Sequence, residues 1–181
     1  TAMNGPSPVA DRFGLGSTAL SFDGSNDYVA VPDASSLDVG TGDGLAWTVG
    51  SVDIAKNRRT PGGPIDHDLP LLVVRDLDGK IQAIYVSYAC HCVTLSHNKI
   101  SGDWAGYAQE MIEQRFPGAV ALFSAGAGSD SNPSSGVVRD RVDVATAQGA
   151  QIADEVARLL QQPLRPVTGP LAARLQRIDL A

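Results

Sequence analysis

The chain has 181 residues, 43% hydrophobic and 19% charged, enough for one ordinary core and too apolar for intrinsic disorder. Its net charge of −6 excludes a nucleic-acid partner, because phosphate backbones are held by clustered Lys and Arg. No apolar run approaches the roughly 20 residues that cross a bilayer, and no basic stretch followed by an apolar one opens the chain, so it reads as soluble. With Thr1 first and Met3 close behind, export stays open.

Residues 1–44 are rich in Gly, Ser, Asp and Asn. Leu20 and Phe22, then Tyr28, Val29 and Val31, flank DGSND as two short strands flank a hairpin turn. A lone hairpin is marginal in water, so this pair needs another surface. The texture changes near Val49. KNRRTPGG is a Pro/Gly loop, and His67 in IDHDLP reads as a structural surface residue leading into a strand. Leu71–Val74, the turn DLDGK and Ile81–Ala89, with Ile84, Val86 and Tyr88 on one face, predict an antiparallel pair.

Asp103 is an N-cap candidate for a helix through WAGYAQEMIEQRF, whose apolar residues are Tyr107, Ala108, Met111 and Ile112 and whose stop is Pro117-Gly118. Ala119–Phe123 reads as a short buried strand breaking into the Gly/Ser loop AGAGSDSNPSSG. A second helix follows in VDVATAQGAQIADEVARLLQQ, where Ala145, Gly149, Ile152, Ala153, Val156, Leu159 and Leu160 form one stripe, ended by Pro163 and Pro166. Strand, helix, strand, helix with Gly-rich loops predicts an α/β layer with ligand groups at the strand ends.

His91 stands where a strand gives way to a loop, a common place for a functional side chain. Strand alternation would send Cys90 and Cys92 to one face and His91 to the other, which argues against a Cys-His-Cys zinc knot. As a metal ligand His91 would need companions from His67, His97, the cysteines or the acids; the commoner alternative is a hydrogen-bonded structural histidine. A cysteine nucleophile would need His97 folded back as its base. Ser129, Asp130 and Ser131 could carry catalysis, but GAGSDS lacks the Gly-x-Ser-x-Gly elbow and equally suits a turn closing a strand. Arg58 and Arg59 are either a solvated pair or a clamp for a carboxylate or oxyanion.

In order, the segments VDIAKNRRTPGGPIDHDLPLLVVRDLDGKIQAIYVSYACHCVTLSHNKISGDWAGYAQ and AVALFSAGAGSDSNPSSG resemble the neutral ceramidase family, especially its bacterial neutral/alkaline members, over about residues 49–162. The resemblance implies a zinc amidohydrolase that cleaves the N-acyl bond of ceramide with a metal-bound water, acting on a small lipid or acyl substrate. It places His91 on a zinc-ligand position and Arg58 on the arginine that contacts substrate and developing oxyanion. Residues 128–133, with Ser129, Asp130 and Ser131, match a Gly-Asp-x-Ser-Pro-Asn loop near the site in shifted order, so no individual role transfers there. The family's other zinc ligands, and a catalytic histidine, come from segments outside this match, which leaves the zinc ligand set of this chain incomplete.

Residues 17–40 resemble the opening of a laminin-G-like or concanavalin-like jelly roll. The expected organisation is a truncated lectin-like hairpin and linker over 1–48 and a ceramidase-like α/β segment over 49–181. Three functions follow: a ceramidase-like hydrolase, with weak or altered amide or ester hydrolysis; a non-catalytic binding module; and a metal-independent esterase using Ser or Cys. A homo-oligomer, joined through an exposed strand edge, is compatible with each.

Overall fold

The computed structural model describes residues 44–168 and four short strand segments nearer the N-terminus. The chain divides into two compact units, Thr1–Asp38 and Val39–Ala181. In the first, β1 (Ala2–Met3) pairs antiparallel with β4 (Tyr28–Val29), and β2 (Ser7–Val9) with β3 (Ala19–Ser21). The expected hairpin is therefore corrected: its two strand segments form, but each pairs with a segment nearer the N-terminus. Apolar alternation marks strands without naming partners, so a turn signal alone did not fix the register. Phe22, the DGSND turn and Val31 lie outside the described residues, as does most of the segment resembling a jelly roll.

The second unit is α/β. Its elements are β5 (Leu45–Ser51), β6 (Ala55–Asn57), β7 (Asp68–Arg75), β8 (Ile81–Tyr88), α1 (Asp103–Arg115), β9 (Val120–Ala125), β10 (Ser131–Pro133), α2 (Val142–Leu159) and β11 (Arg165–Pro166). A five-stranded sheet runs in the order β11-β5-β7-β8-β9. β5, β7 and β8 are antiparallel neighbours, the β7–β8 pair being the predicted one, while β9 lies parallel to β8 after the crossover through α1. β5 begins at Leu45, ahead of the change of texture at Val49.

Period-two alternation gives the sheet two different faces. Leu69, Leu71 and Val73 of β7 and Ile84, Val86 and Tyr88 of β8 point inward and are fully covered. They meet Trp104, Ala108 and Ile112 of α1 and Ile152, Ala153, Val156 and Leu159 of α2 in one core. The predicted α2 stripe is the buried one, with Leu160 at its margin. Each large aliphatic group so buried stabilises the fold by about 1.5–3 kcal/mol. Polar ties fix the layers: Glu155 of α2 accepts from the Ser51 amide at 3.1 Å, and Arg115 of α1 pairs with Asp154 of α2.

The two helices approach closely at Gly149. A Cβ there would lie 2.7 Å from the Ala108 nitrogen and 2.8 Å from the Tyr107 Cβ. Gly149→Ala tests which effect wins. Helix propensity favours alanine by about 1 kcal/mol, whereas overpacking a backbone contact costs about 1–3 kcal/mol. A lower urea midpoint is expected; an unchanged or higher one would show that the helices separate at little cost.

Candidate functional site

The site begins where β8 ends. Tyr88 is buried, its hydroxyl donating to the Val52 carbonyl at 3.1 Å and its ring set edge-on to Trp104 at 5.9 Å. Trp104 meets Phe123 of β9 edge-on at 5.1 Å. Beyond Tyr88 the chain bends, with the Cys90 amide donating to the Tyr88 carbonyl at 3.0 Å. The alternation expected for residues 90–92 is thus corrected: Cys90 is buried and Cys92 exposed because the strand has already ended. The Trp104 indole N–H donates to the His91 carbonyl at 3.0 Å and holds this bend against α1.

The loop after β9 lies on the same bend. The Gly126 amide donates to the Tyr88 carbonyl at 3.0 Å, and a Cβ on Gly128 would lie 2.5 Å from the Cys90 nitrogen. Ser131–Pro133, expected as loop, instead forms β10, paired antiparallel with β6 in the register Ser131↔Asn57 and Pro133↔Ala55. Gly, Ser, Asn and Pro have weak strand propensity; tertiary pairing overrides it here.

Backbone hydrogen bonds then tie the predicted residues together. The Arg58 amide donates to the Asp130 carbonyl at 2.7 Å, and the His91 amide donates to the Ser131 carbonyl at 2.9 Å. His91 Nε2 lies 3.3 Å from the Ser129 carbonyl. A carbonyl only accepts, so this contact takes the tautomer protonated at Nε2 and leaves the lone pair on Nδ1. The Ser131 hydroxyl is 3.4 Å from Asp130 Oδ1. Arg58 and Ser129 are exposed, His91 and Asp130 half-buried, and Ser131 buried. Among the described residues the Arg58 guanidinium forms no ion pair.

Two organising residues were not singled out from sequence. Asn57 donates from Nδ2 to Asp130 Oδ2 and to the Pro64 carbonyl, each at 3.1 Å, while its Oδ1 accepts from the amides of Arg59 (3.0 Å) and Thr60 (2.9 Å). The signal was available, since Asn ahead of a Pro/Gly loop often bonds the backbone two residues on. Thr94 donates from its hydroxyl to Gln148 Oε1 at 2.6 Å, and Gln148 reaches Ser135 Oγ at 3.1 Å, binding the loop after His91 to α2.

Asp103 is not the N-cap. Gly102 holds that place, and Asp103 opens α1 at φ 54°, in left-handed backbone. Its carboxylate accepts from the amides of Leu95 at 2.7 Å and Thr94 at 3.2 Å, fastening the loop behind His91, and also from the first-turn amide of Trp104 at 2.8 Å. His67 lies outside the cluster, with Nδ1 3.1 Å from the Val52 carbonyl and 3.5 Å from Asp53. A cavity of about 340 Å³ near Ser51, Asp53, Glu155 and Arg158 includes none of the cluster residues.

The zinc implied by the resemblance needs about three protein ligands plus an open position. Among the described residues no group of three His, Cys, Asp or Glu side chains could hold a metal. Asp103, one conceivable companion of His91, already spends both oxygens on backbone amides. The described residues therefore do not fit a chelated zinc. A thiolate nucleophile is disfavoured on other grounds: burial first, then the neighbouring Cys92 and Asp103, pushes the Cys90 thiol up to about 12. Among the described residues no helix is long and apolar enough to cross a membrane.

The chain matches no family profile and no curated protein sequence. Its α/β fold is similar to part of two solved structures, a ceramidase complexed with C2 and a neutral ceramidase from Pseudomonas aeruginosa. Each is 20% identical, has a TM-score of 0.57, and is matched over 66% of this chain and 22% of its own. The likeness is one of fold, and this chain spans about a fifth of the length of those proteins.

Tyr88 gives a test of the strand end. Burial pushes its phenol up to about 12, chiefly by desolvation, from an ordinary value of 10.0. Between those limits the unfolded chain releases a proton that the folded chain keeps, so stability falls as pH rises through this window. Tyr88→Phe removes that proton, and its stability should decline less steeply from pH 10 to 12 than the wild type's; equal slopes would place the hydroxyl in water.

Proposed function

We propose that this chain forms one wall of a ceramidase-like hydrolase site acting on the N-acyl amide bond of a lipid. The observation that carries the reading is the convergence of Arg58, His91 and residues 129–131, from three separate stretches of sequence, through the Arg58–Asp130 and His91–Ser131 backbone hydrogen bonds. The same residues carry the ordered resemblance to neutral ceramidases, and the fold likeness to two solved ceramidases supports it further.

In this reading the Arg58 guanidinium meets the acyl carbonyl and stabilises the negative charge that develops there during attack, a role worth about 3–4 kcal/mol for one well-placed donor. His91, held through Nε2 on Ser129, presents Nδ1 to the reacting centre. Asn57 keeps the Arg58 loop and Asp130 in one piece. Asn132 Oδ1, a buried oxygen with no partner among the described residues, is a further polar group on the strand that carries Ser131. No metal-bound step is assigned to the described residues.

The binding-module reading is favoured by one observation, the absence of a three-ligand group among the described residues. Turnover of a fluorogenic N-acyl amide, with added zinc and with chelator, separates the two. The hydrolase reading expects turnover that falls on the order of 100-fold in Arg58→Ala and is lost in His91→Ala. Binding of the amide without turnover would favour the module. Chelator-resistant ester cleavage with covalent labelling of Ser129 or Ser131 would point to the esterase.

A further inference from the structure

Among the described residues, two non-glycine residues hold left-handed backbone, Asp103 at φ 54° and Arg139 at φ 59°. Such angles crowd Cβ against the carbonyl oxygen and persist only where the surroundings enforce them. Both residues bind one segment, residues 94–96, which follows His91. The buried Asp103 carboxylate accepts from the amides of Thr94 and Leu95, and the Arg139 carbonyl accepts from the Ser96 amide at 2.9 Å. The Val138 amide donates to the Thr94 carbonyl at 2.8 Å.

We propose that Asp103 is the positioning residue for His91, and that the Thr94 hydroxyl carries the same hold across to the segment after residues 129–133. The proposal rests on the hydrolase reading, in which His91 acts at the reacting centre. Asp103 and Trp104 are consecutive and grip the chain at separate points. The Trp104 indole donates to the His91 carbonyl at 3.0 Å, while Asp103 takes the amides of Thr94 and Leu95. With its own amide on the Ser131 carbonyl, His91 keeps only its side-chain torsions free, and Nε2 on the Ser129 carbonyl sets those.

The second arm is buried throughout. Thr94 is fully covered and donates to Gln148 Oε1 at 2.6 Å, and Gln148, also buried, donates from Nε2 to Ser135 Oγ at 3.1 Å. Removing one member of such a chain leaves its partner unsatisfied away from water, so the segment shifts to recover a bond. The chemistry at position 103 selects a carboxylate. Oδ1 accepts from Thr94 and Trp104 and Oδ2 from Leu95, so both oxygens accept at once. Asparagine would set an NH2 group against one of those amides, donor against donor. It tolerates left-handed backbone as aspartate does, so Asp103→Asn removes the hold and keeps the backbone angle.

The test reads position and turnover separately, on the full chain. Nuclear Overhauser effects between the His91 ring and Ser129 report whether Nε2 still meets that carbonyl. They should be lost in Asp103→Asn and in Thr94→Val, with the circular dichroism of the wild type retained, and should return in Thr94→Ser, which keeps the hydroxyl. Turnover of a fluorogenic N-acyl amide should fall on the order of 10–100-fold in kcat in Asp103→Asn with KM little changed, because misplacement of an acting group is felt in the transition state. Overhauser effects absent from the wild type, or at wild-type strength in folded Asp103→Asn, overturn the proposal; should that variant not fold, wild-type strength in Thr94→Val does so. A raised KM at unchanged kcat overturns it as well, since it would assign Asp103 to substrate binding. A wild type that turns over no amide refutes the hydrolase reading instead, and the Overhauser comparison still decides the positioning.

Discussion

The candidate site depends on one close approach of backbone to backbone. After β9 the chain passes over the bend at Ala89–Cys90 so tightly that the Gly128 Cα hydrogens occupy the only space left. No other residue type fits there without moving the strand end. This contact decides where residues 129–133 go. They run along β6 instead of out into solvent, and their carbonyls face the amides of Arg58 and His91. A histidine and an arginine more than 30 residues apart in sequence thereby share one small patch.

Around that contact the protein divides its labour by sheet face. The inner face is dry and aliphatic, closed by two helices that meet at Gly149 and tied to them by side-chain-to-backbone hydrogen bonds such as Ser51 to Glu155. It contributes rigidity, since interiors packed at this density transmit strain and do not absorb it. The strand ends hold the polar chemistry, where carbonyls and amides past the last ladder hydrogen bond are free to seek partners in loops. The outer face is more mixed: Trp47, Leu72, Tyr85 and Leu122 lie side by side across it, with the Tyr85 hydroxyl bonded to Ser124 Oγ and Arg165 stacked on Trp47.

Legibility followed the physical origin of each feature. The β7–β8 hairpin was readable because its turn residues and its period-two pattern agree. The α2 stripe was readable because 18 residues give a 3.6-residue period time to show itself. β6 and β10 were not, since three residues carry no period and SNP has almost no strand propensity; their pairing comes from the Gly128 contact, a tertiary event. Asp103 misled for a different reason. A carboxylate ahead of a helix ordinarily caps it, but a left-handed first residue turned this one back onto the preceding loop. The cysteines misled because alternation was extended past the last strand residue, Tyr88. Arg58, His91 and residues 129–131 stand together in the sequence only through a resemblance; spacing alone leaves each member with a plain structural alternative.

The most direct measurement of the central claim is amide hydrogen exchange at Arg58 and His91, followed by NMR. Both amides lie in loops that composition alone would leave open to water, and both donate to the single stretch Asp130–Ser131. The account predicts that each exchanges on the order of 100-fold or more below its unstructured rate, and that the two are released together when the loop opens, as members of one cooperative unit. Exchange of either amide at its unstructured rate, or release of one without the other, would show that the loop does not join them and that the candidate site is not assembled by this chain.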